Sequence, residues 1–271
     1  MERLDRKANV SSGTRREFLR LSGMAAAAST FSGAAIPHVH AGGDSVIKLA
    51  LIGCGGRGGG AVGNALSAPG GPVKLFAMAD LFADRLAGSH KALSKEFGDK
   101  IDVPPERQFL GFDAYKAAID CLGPGDVAML TGYTAFRPTH LDYAVEKGVH
   151  VFMEKPFAPD PVGVRQVIQA GEIARQKNLK IAAGLMWRHS NARQALIQKI
   201  RDGEMGQIQL MRAYRMESGY RMGPRKPAKN ELLDQLRIRW AFLWALSGIL
   251  IELMVHQIDE CCWIKDAWPT E

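Results

Sequence analysis

Four groups of residues in this chain combine residue types and spacings that can do chemistry. Gly53-Cys54-Gly55-Gly56-Arg57-Gly58 is a G-x-G-x-x-G sequence. In such a loop the first glycine, Gly53, permits a tight turn, and the second, Gly55, lets backbone approach a pyrophosphate. The third, Gly58, lets the following helix pack close to the preceding strand with its N-terminal amides facing the phosphates. Asp80 lies 22 residues after Gly58, where an acid binds the ribose 2′-hydroxyl of a dinucleotide. A carboxylate there repels a 2′-phosphate, which favours NAD over NADP, while Arg85 five residues on softens the preference. Lys155 follows an apolar run and precedes Pro156. A lysine at the end of a strand, desolvated and near other positive charge, has a lowered pKa and can serve in proton transfer. Glu252 and His256 stand four apart in the otherwise apolar run Gly248–Asp259, so a helix places both on one face. Buried Glu and His rarely lack a purpose. Each group has a plainer reading: a glycine-rich turn with a solvated Asp80, a surface lysine in a turn, and a structural histidine capping a buried hydrogen bond.

The elements that must position these residues follow from the apolar patterning. Val46–Ile52 is a β-branched apolar run that suits a parallel strand covered on both faces. Further strands are expected at Val73–Ala79, Gln108–Leu110, Asp126–Thr131, Val149–Met153 and Lys180–Met186. Helices are expected between and after them, at Gly60–Ala68, Ala83–Phe97, Asp113–Leu122, Pro138–Lys147, Pro161–Gln176 and Ala192–Arg201. Six strands alternating with helices make an α/β fold, a doubly wound parallel Rossmann sheet whose ligands lie at the carboxyl ends of the strands. One more strand is expected at Gln207–Met216, beginning an α+β substrate domain, with a loop over the cleft at Gly219–Lys229.

Composition sets the outer bounds. The chain has 271 residues, 46% apolar and 23% charged, so disorder, collagen and a small disulfide scaffold are excluded. Four irregularly spaced cysteines give no paired C-x-x-C zinc ligands, and no metal is expected. Of the net charge of +7, three charges lie in residues 1–41. What remains has no concentrated basic face, and nucleic-acid binding is not expected. Residues 1–41 read as an export signal. Arg15-Arg16-Glu17-Phe18-Leu19 precedes a short Ala-, Gly- and Ser-rich apolar run and the small-residue exit ending at Ala41. The paired arginines resemble the twin-arginine type, which exports folded proteins, so a periplasmic or otherwise exported location is expected. The apolar run is too short and weak for a membrane span. A disordered basic tail is the plainer reading.

Glu154-Lys155-Pro156 after a fifth strand in a G-x-G-x-x-G fold resembles the Gfo/Idh/MocA oxidoreductase family over residues 44–268. The Gly-Gly-Arg-Gly loop and the leader are similar to the family's secreted bacterial branch. The resemblance implies an NAD-dependent oxidoreductase that moves a hydride between a sugar, inositol or related polyol hydroxyl and a nicotinamide cofactor. It implies a cofactor domain over 44–187 and a substrate domain beginning at 188. Lys155 would bind substrate hydroxyls and assist proton transfer, and the Lys155–Pro156 bond would be cis. His256 would take the alcohol proton, with Glu252 or Asp259 orienting its ring. Arg57, Glu154 and Thr131 fall with the cofactor-binding residues, Thr131 at the nicotinamide ribose, with His140 lining the same cleft. Arg188 and Asp259 fall on the substrate side. The acid at 252 is Glu where the family more often has Asp. The chain ends at Glu271, short of the family's usual length, so the substrate domain of 188–271 is read as incomplete. A homo-oligomer formed through that domain is compatible with this reading. Two alternatives remain open: an NAD-retaining relative that cleaves glycosides, against which the intact Lys155 counts, and a non-catalytic sugar- or nucleotide-binding remnant.

Overall fold

The computed structural model describes residues 46–216, 231–237 and 248–269. The expected export signal and the loop at Gly219–Lys229 lie outside the described residues. The strands are β1 (Ile47–Ile52), β2 (Val73–Asp80), β3 (Gln108–Leu110), β4 (Val127–Leu130), β5 (His150–Met153) and β6 (Ile181–Ala183). They form one parallel sheet in the order β3-β2-β1-β4-β5-β6. The order reverses direction between β1 and β4, which is where such sheets open a crevice at their carboxyl edge.

Alternation along β1 explains why its buried stretch, Leu49–Ile52, is apolar at every position. Leu49 and Leu51 face one core, with Val62, Leu66, Leu75, Met78, Leu86 and Leu93. Ala50 and Ile52 face the other, with Ala77, Ala79, Ala128, Leu130 and Leu141. Successive side chains of a strand point to opposite faces, so a strand covered on both sides needs apolar residues at every position. The first core is closed by α1 (Gly56–Ser67) and α2 (Ala83–Phe97). The second lies under α3 (Ala114–Asp120), α4 (Arg137–Lys147) and α5 (Pro161–Gln176), against a sheet face rich in alanine. Each fully buried leucine, such as Leu51 or Leu75, contributes roughly 1.5–3 kcal/mol by leaving water.

Local chemistry fixes the helix ends. The Asp160 side chain accepts the Gly163 N–H at 2.7 Å, and Pro161 opens α5. Gly148 ends α4 with φ +76°, a left-handed conformation that glycine adopts without a Cβ clash.

Past β6 a 3-10 turn, Met186–His189, leads into α6 (Asn191–Arg201). The segment 207–216, expected as a strand, forms none. No described strand lies beside it, and Leu210, Tyr214 and Met216 are exposed. An alternating apolar pattern (Ile208, Leu210, Tyr214, Met216) supplies side chains for a sheet face but no hydrogen-bonding neighbour, and a lone strand has no stability of its own. Two more helices follow, α7 (Glu231–Arg237) and α8 (Gly248–Lys265). Among the described residues no helix is long and apolar enough to cross a membrane, and no cluster of His, Cys, Asp and Glu is placed to hold a metal.

Candidate functional site

A cleft of about 440 Å³ runs along the carboxyl edge of the sheet, from Asp80 and Arg85 past the glycine loop to Lys155 and Glu252. β1 delivers the loop at its floor. Gly53 has φ +101°, and a Cβ there would sit 2.5 Å from the Gly132 nitrogen. A Cβ on Gly58 would sit 2.1 Å from the Gly53 carbonyl oxygen. Gly55 and Gly56 face open space instead, with nothing within 4 Å of an added Cβ. No side chain caps the N-terminus of α1 at Gly55. Its first-turn amides therefore remain available to an anion at the positive end of the helix dipole. A pyrophosphate fits this cradle on both steric and electrostatic grounds.

Asp80 ends β2 beside the loop. Its Oδ2 accepts the Cys54 N–H at 2.6 Å and its Oδ1 accepts the Phe82 N–H at 2.8 Å. The carboxylate thus fastens the glycine loop to the end of β2 and keeps further lone pairs for ribose hydroxyls. The Cys54 thiol is buried against it, and burial together with the Asp80 charge pushes its pKa up, so it stays a thiol. Thr131 follows β4, and its hydroxyl donates to the Gly53 carbonyl at 2.7 Å and the Ile52 carbonyl at 3.1 Å. One hydrogen shared between two carbonyls makes this residue a fastener of the glycine turn. The expectation that it faces a nicotinamide ribose leaves only its lone pairs for that purpose.

β5 delivers Glu154, Lys155 and Pro156, and the Lys155–Pro156 bond is cis. Glu154 is buried, and its Oε1 accepts the Arg57 Nε–H at 2.8 Å. The two residues therefore join the start of α1 to the end of β5. A Cβ on Gly184 would lie 2.6 Å from Glu154 Oε2, so that carboxylate occupies the space where residue 184 would carry a side chain. Lys155 Nζ donates to the Glu252 backbone carbonyl and lies 3.5 Å from Glu252 Oε1.

α8 carries Glu252, His256 and Asp259 on one buried face, as their spacing requires. Neither carboxylate orients the histidine as expected. Glu252 goes to Lys155, and Asp259 accepts a forked pair of bonds from Arg188 at 2.8–3.1 Å. His256 Nδ1 is buried without a hydrogen-bond partner among the described residues, and its ring lies tilted on Trp187 at 5.2 Å between centroids. Burial, then the Lys155 and Arg215 charges, lower the His256 pKa below its ordinary value. The ring is therefore neutral at pH 7 and able to accept a proton. Arg188 and Asp259, both expected on the substrate side, meet each other first. That ion pair raises the Arg188 pKa.

His140 also lines the cleft. Its ring stacks on Tyr115 at 4.0 Å, and burial followed by the Arg137 charge pushes its pKa down to about 3. Sequence reasoning missed Arg137, a buried guanidinium that donates to the Gly132 carbonyl at 2.6 Å and to the Pro156 carbonyl. It joins the loops that follow β4 and β5. Its only local signal is an arginine heading a helix next to Pro138. Trp187 and Gly184 were missed as well, because each acquires its role from a partner distant in sequence.

No protein-family model matches the chain, and no curated protein matches it. Solved structures do. A myo-inositol 2-dehydrogenase from Lactobacillus plantarum is 22% identical, with 81% of this chain and 56% of that one covered at a TM-score of 0.60. A scyllo-inositol dehydrogenase from Lactobacillus casei, with bound NAD(H) and scyllo-inositol, is 21% identical over 81% and 56%, with a TM-score of 0.58. Its apo form is 22% identical over 81% and 55%, with a TM-score of 0.57. The chain spans just over half the length of these proteins. What it shares with them at this identity is the fold, a Rossmann-type α/β sheet.

Proposed function

We propose that the cleft binds a nicotinamide dinucleotide, NAD in preference to NADP. The protein would be an oxidoreductase of the Gfo/Idh/MocA type that moves a hydride between a sugar or polyol carbon and that cofactor. One observation carries the reading. Lys155 and Glu252 line one end of the same cleft whose other end holds the glycine loop and Asp80, and His256 is buried one helical turn beyond Glu252, within reach of the Lys155 charge. The inositol dehydrogenases of like fold support the substrate class, and the L. casei protein supports the cofactor class.

When bound, the nicotinamide supplies the hydride acceptor. The chain's own residues do the rest. α1 amides and Asp80 would hold the pyrophosphate and the adenosine ribose. Lys155, a cation fixed by Glu252, would hold the reacting hydroxyl oxygen and stabilise the negative charge that grows on it. His256, neutral at neutral pH, would accept the hydroxyl proton as the hydride leaves, with its buried face excluding water. Arg188, steered by Asp259, would bind further hydroxyls. An exported, periplasmic location belongs to the same proposal and rests on Arg15-Arg16 and the small-residue run after them.

The test is to mix the purified chain with NAD and a panel of inositols and aldoses, and to follow reduced nicotinamide by absorbance. Turnover of one polyol class that vanishes in Lys155→Met supports the reading. A folded protein that binds NAD but oxidises none of them, or cleaves glycosides without net reduction, rejects the dehydrogenase.

A further inference from the structure

The short helix α7 lies at the adenosine end of the cleft, although it comes from far along the chain. Leu236 is fully buried there against Phe82, with Leu81, Tyr133 and Phe136 around them. Two of its backbone carbonyls are taken by cleft residues. Tyr133 Oη donates to the Leu236 carbonyl, and Arg85 Nη2 donates to the Arg237 carbonyl at 2.8 Å. Arg85 places its other terminal nitrogen 3.2 Å from Tyr133 Oη. Arg237 reaches back to Asp84 Oδ2 at 2.6 Å, and its guanidinium lies over the Phe82 ring.

These contacts bear on which dinucleotide the cleft accepts. A 2′-phosphate next to the Asp80 carboxylate needs a free cation beside it. Arg57 and Arg85 both line the cleft with Asp80; Arg57 is paired with Glu154, and Arg85 is engaged by α7 and Tyr133. Arg237 brings positive charge, but Asp84 neutralises it at 2.6 Å. With α7 docked, the ribose 2′ position therefore meets the Asp80 carboxylate, and Arg85 and Arg237 are both committed elsewhere.

We propose that α7 is a selectivity element that enforces NAD over NADP by keeping Arg85 engaged. This rests on the reading of the cleft as a dinucleotide site. It assigns a role to a helix outside the glycine loop and goes beyond the presence of Asp80. Undocking α7 releases Arg85 toward Asp80 and narrows the preference.

The experiment is calorimetric titration of the full chain with NAD and with NADP, in the wild type, Leu236→Asn, Arg237→Ala and the double variant Leu236→Asn/Arg85→Ala. Far-ultraviolet circular dichroism confirms folding in each. The wild type is expected to prefer NAD by about 100-fold, the effect of an unscreened carboxylate facing a phosphate. Leu236→Asn narrows the ratio to within about 10-fold, and Arg237→Ala shifts it the same way by less. The double variant returns to the wild-type ratio, because the released base has been removed. An unchanged ratio in folded Leu236→Asn overturns the proposal, and so does a double variant that stays permissive. Should Leu236→Asn not fold, an unchanged ratio in Arg237→Ala overturns it alone. A folded wild type that binds neither nucleotide removes the dinucleotide reading itself, whereas tight NAD binding with an indifferent ratio keeps that reading and removes the preference for NAD together with the role of α7.

Discussion

Gly58 and Gly60 stand two residues apart in α1, and the structure predicts opposite signs for the same substitution at each. At Gly58 an added Cβ would lie 2.1 Å from the Gly53 carbonyl oxygen, where ordinary contact begins near 3.4 Å. About 1.3 Å of space is missing, and the obstacle is backbone on the far side of a strand-to-helix turn. Thr131 Oγ1, at 2.7 Å from the same Cβ, closes the other escape. Overpacking of this kind costs about 1–3 kcal/mol or more. At Gly60 nothing lies within 4 Å of an added Cβ, and the residue is exposed in mid-helix. Alanine there narrows the unfolded chain's freedom without strain and stabilises by about 0.5–1 kcal/mol. For a folded unit of this size, each 1 kcal/mol moves the melting midpoint by roughly 2–4 °C. Urea unfolding of the two variants beside the wild type measures both signs in one host helix. NAD titration adds a second readout, because Gly58→Ala pushes the α1 amides off the phosphate cradle while Gly60→Ala leaves them in place. Equal destabilisation by the two substitutions, or a neutral Gly58→Ala, would refute the close strand-to-helix approach on which the cradle depends.

Other expectations follow from the site. Lys155→Met should lower turnover of the reacting polyol by about 10²–10⁴-fold, with NAD affinity within a few-fold in titration. His140, pushed down to about 3 by burial and Arg137, holds fewer protons folded than unfolded between pH 6.5 and 3. Stability is then full above pH 6.5 and falls as pH drops through that window, by an order of several kcal/mol at ~1.4 per pH unit. His140→Phe should flatten this limb in urea unfolding followed across pH, and an unaltered limb would exclude His140 as its source. The lowered His256 pKa places the acid limb of polyol oxidation below pH 6.5, because the ring stays unprotonated there. A limb at or above that value in the initial-rate profile would contradict the role given to His256. Finally, Cys54 should resist alkylation in the folded protein at pH 8, while the half-buried Cys261 reacts, as peptide mapping by mass spectrometry would show.

The parts of the molecule fixed by neighbours along the chain are legible in the amino-acid sequence alone. β1 can be read because its doubly covered part, Leu49–Ile52, has no polar position, and the periodicity and end signals of α2 and α5 place both helices to the residue. The glycine loop with Asp80 and the shared face of Glu252 and His256 lie where their spacing points, and the cis bond before Pro156 lies where the family resemblance implied it. The partners across the site do not. Glu252 meets Lys155 and Asp259 meets Arg188 because of how α8 lies against the ends of β5 and β6, and separations of 97 and 71 residues leave no local trace. The segment 207–216 misleads for the opposite reason: its own pattern suits a strand, but pairing belongs to the neighbour.

The Arg137 strut has a consequence for how this site can change over generations. Its two ends are fixed to the carbonyl oxygens of Gly132 and Pro156, which every amino acid would offer at those places. The loops after β4 and β5 can therefore exchange their side chains, and with them the groups that meet a ligand, while the brace between them persists. Substitutions that retune recognition and those that undo the architecture then fall on different atoms. A substitution at position 137 would loosen both loops at once.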